Sequence, residues 1–162
     1  MTTTITGATG VNQITDDAIT AAKLPNGSVI QFVRATGSTE TATTSSTYAS
    51  TNASVTITPI SASSHIYLSH TAGGLGQNTA SMGLQIIRAI SGGSTTTIYQ
   101  SDRYGYSDGT NWNPINWAVI DVDEAHNTTS AITFTIQIRT QSGEARHCDY
   151  ASWNFVAMEI QG

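Results

Sequence analysis

The stretch Asp102 to Trp117, DRYGYSDGTNWNPINW, sets Tyr104, Tyr106, Trp112 and Trp117 among Asp108, Asn111 and Asn113. Aromatic rings stack on the apolar C–H faces of a pyranose, and planar amides and carboxylates bond its hydroxyls. Tyr104, Tyr106, Asp108, Asn111, Trp112 and Asn113 are therefore candidate glycan or receptor contacts. The competing reading puts the same rings in a subunit interface, where aromatics are also enriched, or over one end of a domain.

Other residue sets invite catalytic readings. Gly105-Tyr106-Ser107-Asp108-Gly109 matches the G-x-S-x-G nucleophile elbow. That elbow needs a strand-to-helix turn, and the sequel TNWNPINW reads as loop. Asp121, Asp123, Glu124 and His126 are dense enough in hard ligands to hold Ca²⁺, but the EF-hand order is absent and a solvated strand end explains them as well. His65 and His70 stand five apart on one expected strand, so they face opposite sides and cannot share a metal. His147-Cys148-Asp149 lacks the folded geometry of a base aimed at a thiolate. Gly74-Leu75-Gly76 lacks the third glycine and helix of a dinucleotide site. No catalytic set, cofactor or metal follows, and the chain reads as non-enzymatic.

Composition narrows the partners. Of the 162 residues only 10% are charged, and the formal net charge is -5. Without a basic run there is no electrostatic grip on nucleic acid. No apolar run is long enough to span a bilayer, so no membrane partner is expected. The single cysteine, Cys148, excludes an intrachain disulfide. About 45 residues are Ser or Thr, far above ordinary usage, which with β-branched and aromatic residues favours strands.

Eight strand-like segments hold these residues: Val29–Arg34, Ser54–Thr58, His65–His70, Met82–Ile90, Thr95–Gln100, Trp117–Val122, Ala131–Thr140 and Ser152–Ile160. Turns are expected at Ser61–Ser64, Gly73–Gly76 and Gly92–Gly93, a loop or edge segment at Gly37–Thr51, and a long loop at Ser101–Asn116. In AITFTIQIRT, Ile132, Phe134, Ile136 and Ile138 alternate strictly with Thr133, Thr135, Gln137 and Arg139, giving one dry face. The last segment is apolar on both faces, with Trp153, Phe155 and Ala157 against Val156, Met158 and Ile160. Such a strand is central or lies against a neighbouring subunit. With no long helix between strands, the expected fold is all-β, an antiparallel β-sandwich of jelly-roll type. An immunoglobulin-like sandwich is second, without the Cys-Trp-Cys pattern.

The start of the chain differs from this. Residues 1–27 read as a Thr-rich extended arm, one short helix and a Pro-Asn-Gly turn, and residues 28–162 as the head domain. Thr15 suits an N-cap, Asp16 and Asp17 the positive end of the helix dipole, and Lys23 its last turn. Pro25 ends the helix at Leu24. A helix this short is marginal alone and needs a docking surface. Ile5, Val11, Ile14, Ile19 and Leu24 are the candidate attachment residues.

ITDDAITAAKLPNGSVIQFV, followed by a β domain that closes on FVAMEIQG, resembles small bacteriophage virion surface proteins of the short tail-fibre or minor structural type. The resemblance implies a homotrimer with an N-terminal attachment segment and a jelly-roll head, located in the virion and assembled in the host cytoplasm. Its partners would be other virion proteins, of tail or capsid, and a host surface glycan. Without a repetitive shaft, a short fibre or spike is the first expectation. A trimeric capsid decoration protein, of head-fibre or cement type, is the alternative.

Overall fold

A computed structural model describes residues 20, 23–77, 80–107, 115–149 and 151–162. Ten strands follow in order: β1 (Val29–Gly37), β2 (Thr41–Thr43), β3 (Ala49–Ile57), β4 (His65–Gln77), β5 (Ala80–Ile90), β6 (Thr95–Ser107), β7 (Ile115–Asp123), β8 (Ile132–Thr140), β9 (Ala145–His147) and β10 (Trp153–Ile160). One sheet runs β1-β10-β4-β7, with the short pair β9-β2 joined to the end of β4. The other runs β3-β8-β5-β6, and every pairing is antiparallel. With β2 and β9 set aside, the eight long strands lie 1-8-3-6 and 2-7-4-5. That is the jelly-roll order, two sheets wound as paired Greek keys.

The core sits between the sheets. Strand β8 alternates as expected: Ile132, Phe134, Ile136 and Ile138 are fully buried against Leu84, Ile86, Leu68 and Phe155 of the same cluster. Burial of each such side chain contributes about 1.5–3 kcal/mol. Strand β10 is central, paired on one edge with β1 and on the other with β4.

Two expected irregular segments are strand instead. Gly73–Gly76 continues β4, with Leu75 opposite Ile115 and Gly76 opposite Arg146. The long loop expected from Ser101 is also shortened. Strand β6 runs on to Ser107 opposite Ala80, and β7 begins at Ile115. Glycine and polar residues have poor strand propensity, but a neighbour offering backbone hydrogen bonds overrides it. Within Gly37–Thr51 lie β2 and the start of β3, and β2 pairs with β9.

The helix expected from Thr15 to Leu24 lies outside the described residues except at Thr20, Lys23 and Leu24, where the Lys23 N–H donates to the Thr20 carbonyl at 2.9 Å. The Pro25-Asn26-Gly27-Ser28 turn forms as expected. The Ser28 N–H donates to Pro25 at 3.1 Å, and Gly27 takes a φ of 86°, the left-handed third position of a type II turn.

A second glycine is held by packing. A Cβ at Gly37 would stand 2.7 Å from Cζ2 of the Trp153 indole. Trp153 is 5% exposed and cannot swing out cheaply. Gly37→Ala should cost about 1–3 kcal/mol by overpacking. Thermal or urea denaturation checks this; an unchanged midpoint would show that the indole has room to move.

Candidate functional site

Two features of the head could engage another molecule: the outer face of the β1-β10-β4-β7 sheet, and the end of the sandwich reached by β6 and β7. The sheet register builds the face row by row. Phe32, Met158, Tyr67 and Val122 form one row; Arg34, Val156, Ser69 and Ile120 the next; Val29, Ile160 and His65 lie on the other side. Phe32 is 59% exposed, Ile120 58%, Val29 54% and Val122 41%. The outer face of the other sheet is polar. There Thr56 and Thr133 share a 2.8 Å hydroxyl bond, Gln85 donates to Gln137, and Gln137 donates to Ser50 at 2.9 Å.

Register also separates two ends. The Gly27 N–H donates to the Gln161 carbonyl and the Gln161 N–H to the Ser28 carbonyl, both at 2.8 Å. This ties the start of β1 to the end of β10, beside His65. Gly37, Trp153 and Ala72 stand at the opposite end, where Trp117 pairs with Ala72 and Ser107 with Ala80. Strand β1 has nine residues, so the ends lie about 26 Å apart at a rise of about 3.3 Å.

Of the expected glycan contacts, Tyr104 is placed on β6, half-buried against the core, with its hydroxyl donated to the Ala118 carbonyl. Tyr106 stands on β6 opposite Ser81 by its backbone. The Tyr106 side chain and all of Asp108, Asn111, Trp112 and Asn113 lie outside the described residues. So do Ile5, Val11, Ile14 and Ile19, whereas Leu24 is half-buried. Near the β6 end, Tyr48 donates to Asp102 at 3.0 Å, Arg139 pairs with Asp102 at 3.0 Å, and the guanidinium lies 5.0 Å over the Tyr48 ring. Burial, then the Asp102 carboxylate, pushes the Tyr48 hydroxyl up to about 12.

The acidic cluster is taken apart by the fold. Asp123 is not a solvated strand end: it is 4% exposed and pairs with Arg88 across the two sheets at 2.6 Å. Burial also raises the Asp121 carboxyl. Glu124 is exposed, and the His126 Nε2 donates to the Ser64 carbonyl at 2.7 Å. Among the described residues no group of three His, Cys, Asp or Glu is placed to hold a metal.

One juxtaposition resembles a hydrolase set. Ser64 Oγ lies 3.3 Å from the His126 Nε2 and donates to Glu159 at 2.7 Å. The order is wrong for an activated serine, because the carboxylate holds the hydroxyl rather than the imidazole. Ser64, His126 and Glu159 are all buried. Glu159 also accepts the Ile60 and Ser61 N–H groups at 2.8 and 2.9 Å. This set ties the β3–β4 turn to β10.

The histidines divide as expected, His65 outward and His70 inward. The inward parity of Ile66, Leu68, His70 and Ala72 on β4 carried that signal. The partner of His70 was not readable. His147 of β9 stacks on it, with Nε2 atoms 3.1 Å apart and ring centroids 5.4 Å apart. His147 thus faces His70 rather than Cys148. The Cys148 thiol donates to the Ala151 carbonyl at 2.8 Å, and burial pushes its pKa up. Trp153 and Phe155 complete the aromatic surround. Burial, then the neighbouring His147, pushes His70 down to about 3; burial pushes His147 down to about 4.

Both rings therefore stay neutral in the fold and charge more readily when unfolded. Between the ordinary histidine value of about 6.5 and these depressed values, the unfolded chain binds more protons. Stability from the pair should be complete above pH 6.5 and fall as the pH drops toward 3. Urea melts from pH 7 to pH 4 should show this loss, and His147→Phe should flatten the slope. An equal slope in that variant would place the acid sensitivity elsewhere.

No family model matches the sequence, and no curated protein does. Among solved structures the chain is similar to the structure of infectious bursal disease virus, Gx strain, with a TM-score of 0.40 and 12% identity. The match covers 83% of this chain and 33% of that one, so the chain spans about a third of its length.

Proposed function

We propose that the chain is a non-enzymatic structural protein of a bacteriophage virion: a short trimeric fibre or spike, anchored by its N-terminal arm and carrying an outward β head. One observation carries this reading. Residues 1–22 join the head at the end where Gly27 and Ser28 bond Gln161, whereas Ser107 and Ile115 stand at the opposite end. The point where the chain enters the head, at Gly27, and the points where β6 ends and β7 begins, at Ser107 and Ile115, thus lie at opposite ends of the sandwich. An arm fixed to a particle would direct the residues between β6 and β7 outward, toward a host surface glycan. The resemblance of the opening segment to virion surface proteins points the same way.

Deleting Thr2 to Leu24 should leave a folded head that no longer joins virions. Normal incorporation of that variant would end the anchoring role. Labelling the full chain on intact particles separates the two virion sites, since signal over the head rather than the tail would favour capsid decoration. On a glycan array, binding by the full chain should be lost with Trp112→Ala. An array with no binding by the unaltered chain would remove the glycan role and leave the anchored spike.

A further inference from the structure

We infer that the outer face of the β1-β10-β4-β7 sheet is the surface on which copies of this chain assemble, β1 of one copy meeting β7 of the next. The inference rests on the trimeric reading above and names the surface that would build it.

The two sheets bury the same core but present opposite outer faces. One is mostly threonine, serine and glutamine, with Arg139 and a single half-buried isoleucine, Ile87; the other carries Phe32, Met158, Tyr67, Val122, Val156 and Ile120 in adjacent rows. Strands lie about 4.8 Å apart and same-face residues about 6.6 Å apart, so these two rows cover roughly 19 by 13 Å, and the row of Val29, Ile160 and His65 beside them brings the apolar area to about 350 Å². A stable interface takes about 800 Å² from each partner, with a dry apolar centre and a polar rim. The rows match such a centre in size. The next row, Thr36, Asn154, Thr71 and Ala118, and the Arg34 bond to Asn154 at 3.0 Å supply a rim.

Charge favours a second copy as the occupant. Each chain carries a formal net charge of -5, so like-charge repulsion between copies is least where they meet through surface free of acidic groups. No Asp or Glu stands in these rows. With Arg34 at the margin, the face offers little charge by which to select a partner of another kind.

The distribution of exposure sets the geometry. Within this face the most exposed apolar residues lie at the two edges, Val29 and Phe32 on β1 and Ile120 and Val122 on β7; Ile60, also exposed, lies off the face in the β3–β4 connection. A face-to-face dimer would not require both edges to be apolar. A rotation that sets the β1 edge of one copy against the β7 edge of the next uses both, and with a third of a turn per copy it closes as a three-membered ring.

The test is light scattering after gel filtration of the full chain and of Phe32→Asp/Ile120→Asp, with Thr56→Asp on the polar face as control. All three positions are exposed, so the fold should hold, and circular dichroism with a thermal melt checks it. The unaltered chain and the control should elute as trimers and the double variant as a monomer that keeps the β spectrum and a cooperative melt, at a lower midpoint because association no longer stabilises it. In addition, Phe32→Cys/Ile120→Cys should give covalent species of up to three chains on mild oxidation. A double variant that remains trimeric overturns this surface but leaves the trimer standing. A monomeric unaltered chain overturns both, and assigns the face to residues 1–22 or to another protein.

Discussion

The placement of β10 between β1 and β4 is the constraint on which most of the structure depends. Its pairing with β1 brings the last residues beside Gly27 and Ser28, so both ends of the head domain are tied at one end of the sandwich. Its pairing with β4 sets Phe155 opposite His70 and Met158 opposite Tyr67. Because strand side chains alternate, one register decides both faces at once. Trp153, Phe155, Ala157 and Glu159 turn inward; Asn154, Val156, Met158 and Ile160 turn outward. A shift of one residue would exchange the two sets and put a carboxylate, a tryptophan and a phenylalanine into water.

The inward set includes groups that are costly to bury, and each is compensated locally. The Glu159 carboxylate faces backbone N–H donors and the Ser64 hydroxyl, which replace water. Asp123 meets the Arg88 guanidinium, joining the two sheets with opposite charges. Breaking such a pair by removing one partner leaves a buried charge and typically costs 3–5 kcal/mol, more than the pair itself contributes. His70 and His147 stay neutral instead, with the two rings sharing a contact between Nε2 atoms. The polar interior thus works as a set of ties between turns and sheets. Among the described residues it holds Asp123, His126 and His147 in three separate contacts rather than in one cluster.

Parts of this were legible in the chain itself. The alternation in Ile132–Thr140 and the two apolar faces of Trp153–Ile160 follow from a period of two, which needs no tertiary knowledge. The Pro-Asn-Gly turn was legible because only a glycine adopts that φ without strain. The continuation of β4 through Gly73–Gly76, and of β6 past Gln100, was not. Glycines and polar residues dominate there and mask the alternation of Tyr104 and Tyr106, and only a neighbouring strand supplies the backbone hydrogen bonds. Of the expected glycan contacts, Tyr104 stands on a strand and packs on the core, a place that the loop reading did not anticipate.

By itself, the sequence determined the class of fold and the inward parity of most strands, since alternation is local and a strand has only two faces. It also set a polar, Thr-rich opening stretch apart in composition from the strand-patterned residues that follow. Only the tertiary structure decided the jelly-roll order, the His70–His147 and Arg88–Asp123 pairs, and the rows that make one outer face apolar. These are pairings between residues far apart in the chain. They depend on which strands become neighbours and in what register, and no periodicity within a single segment encodes that choice.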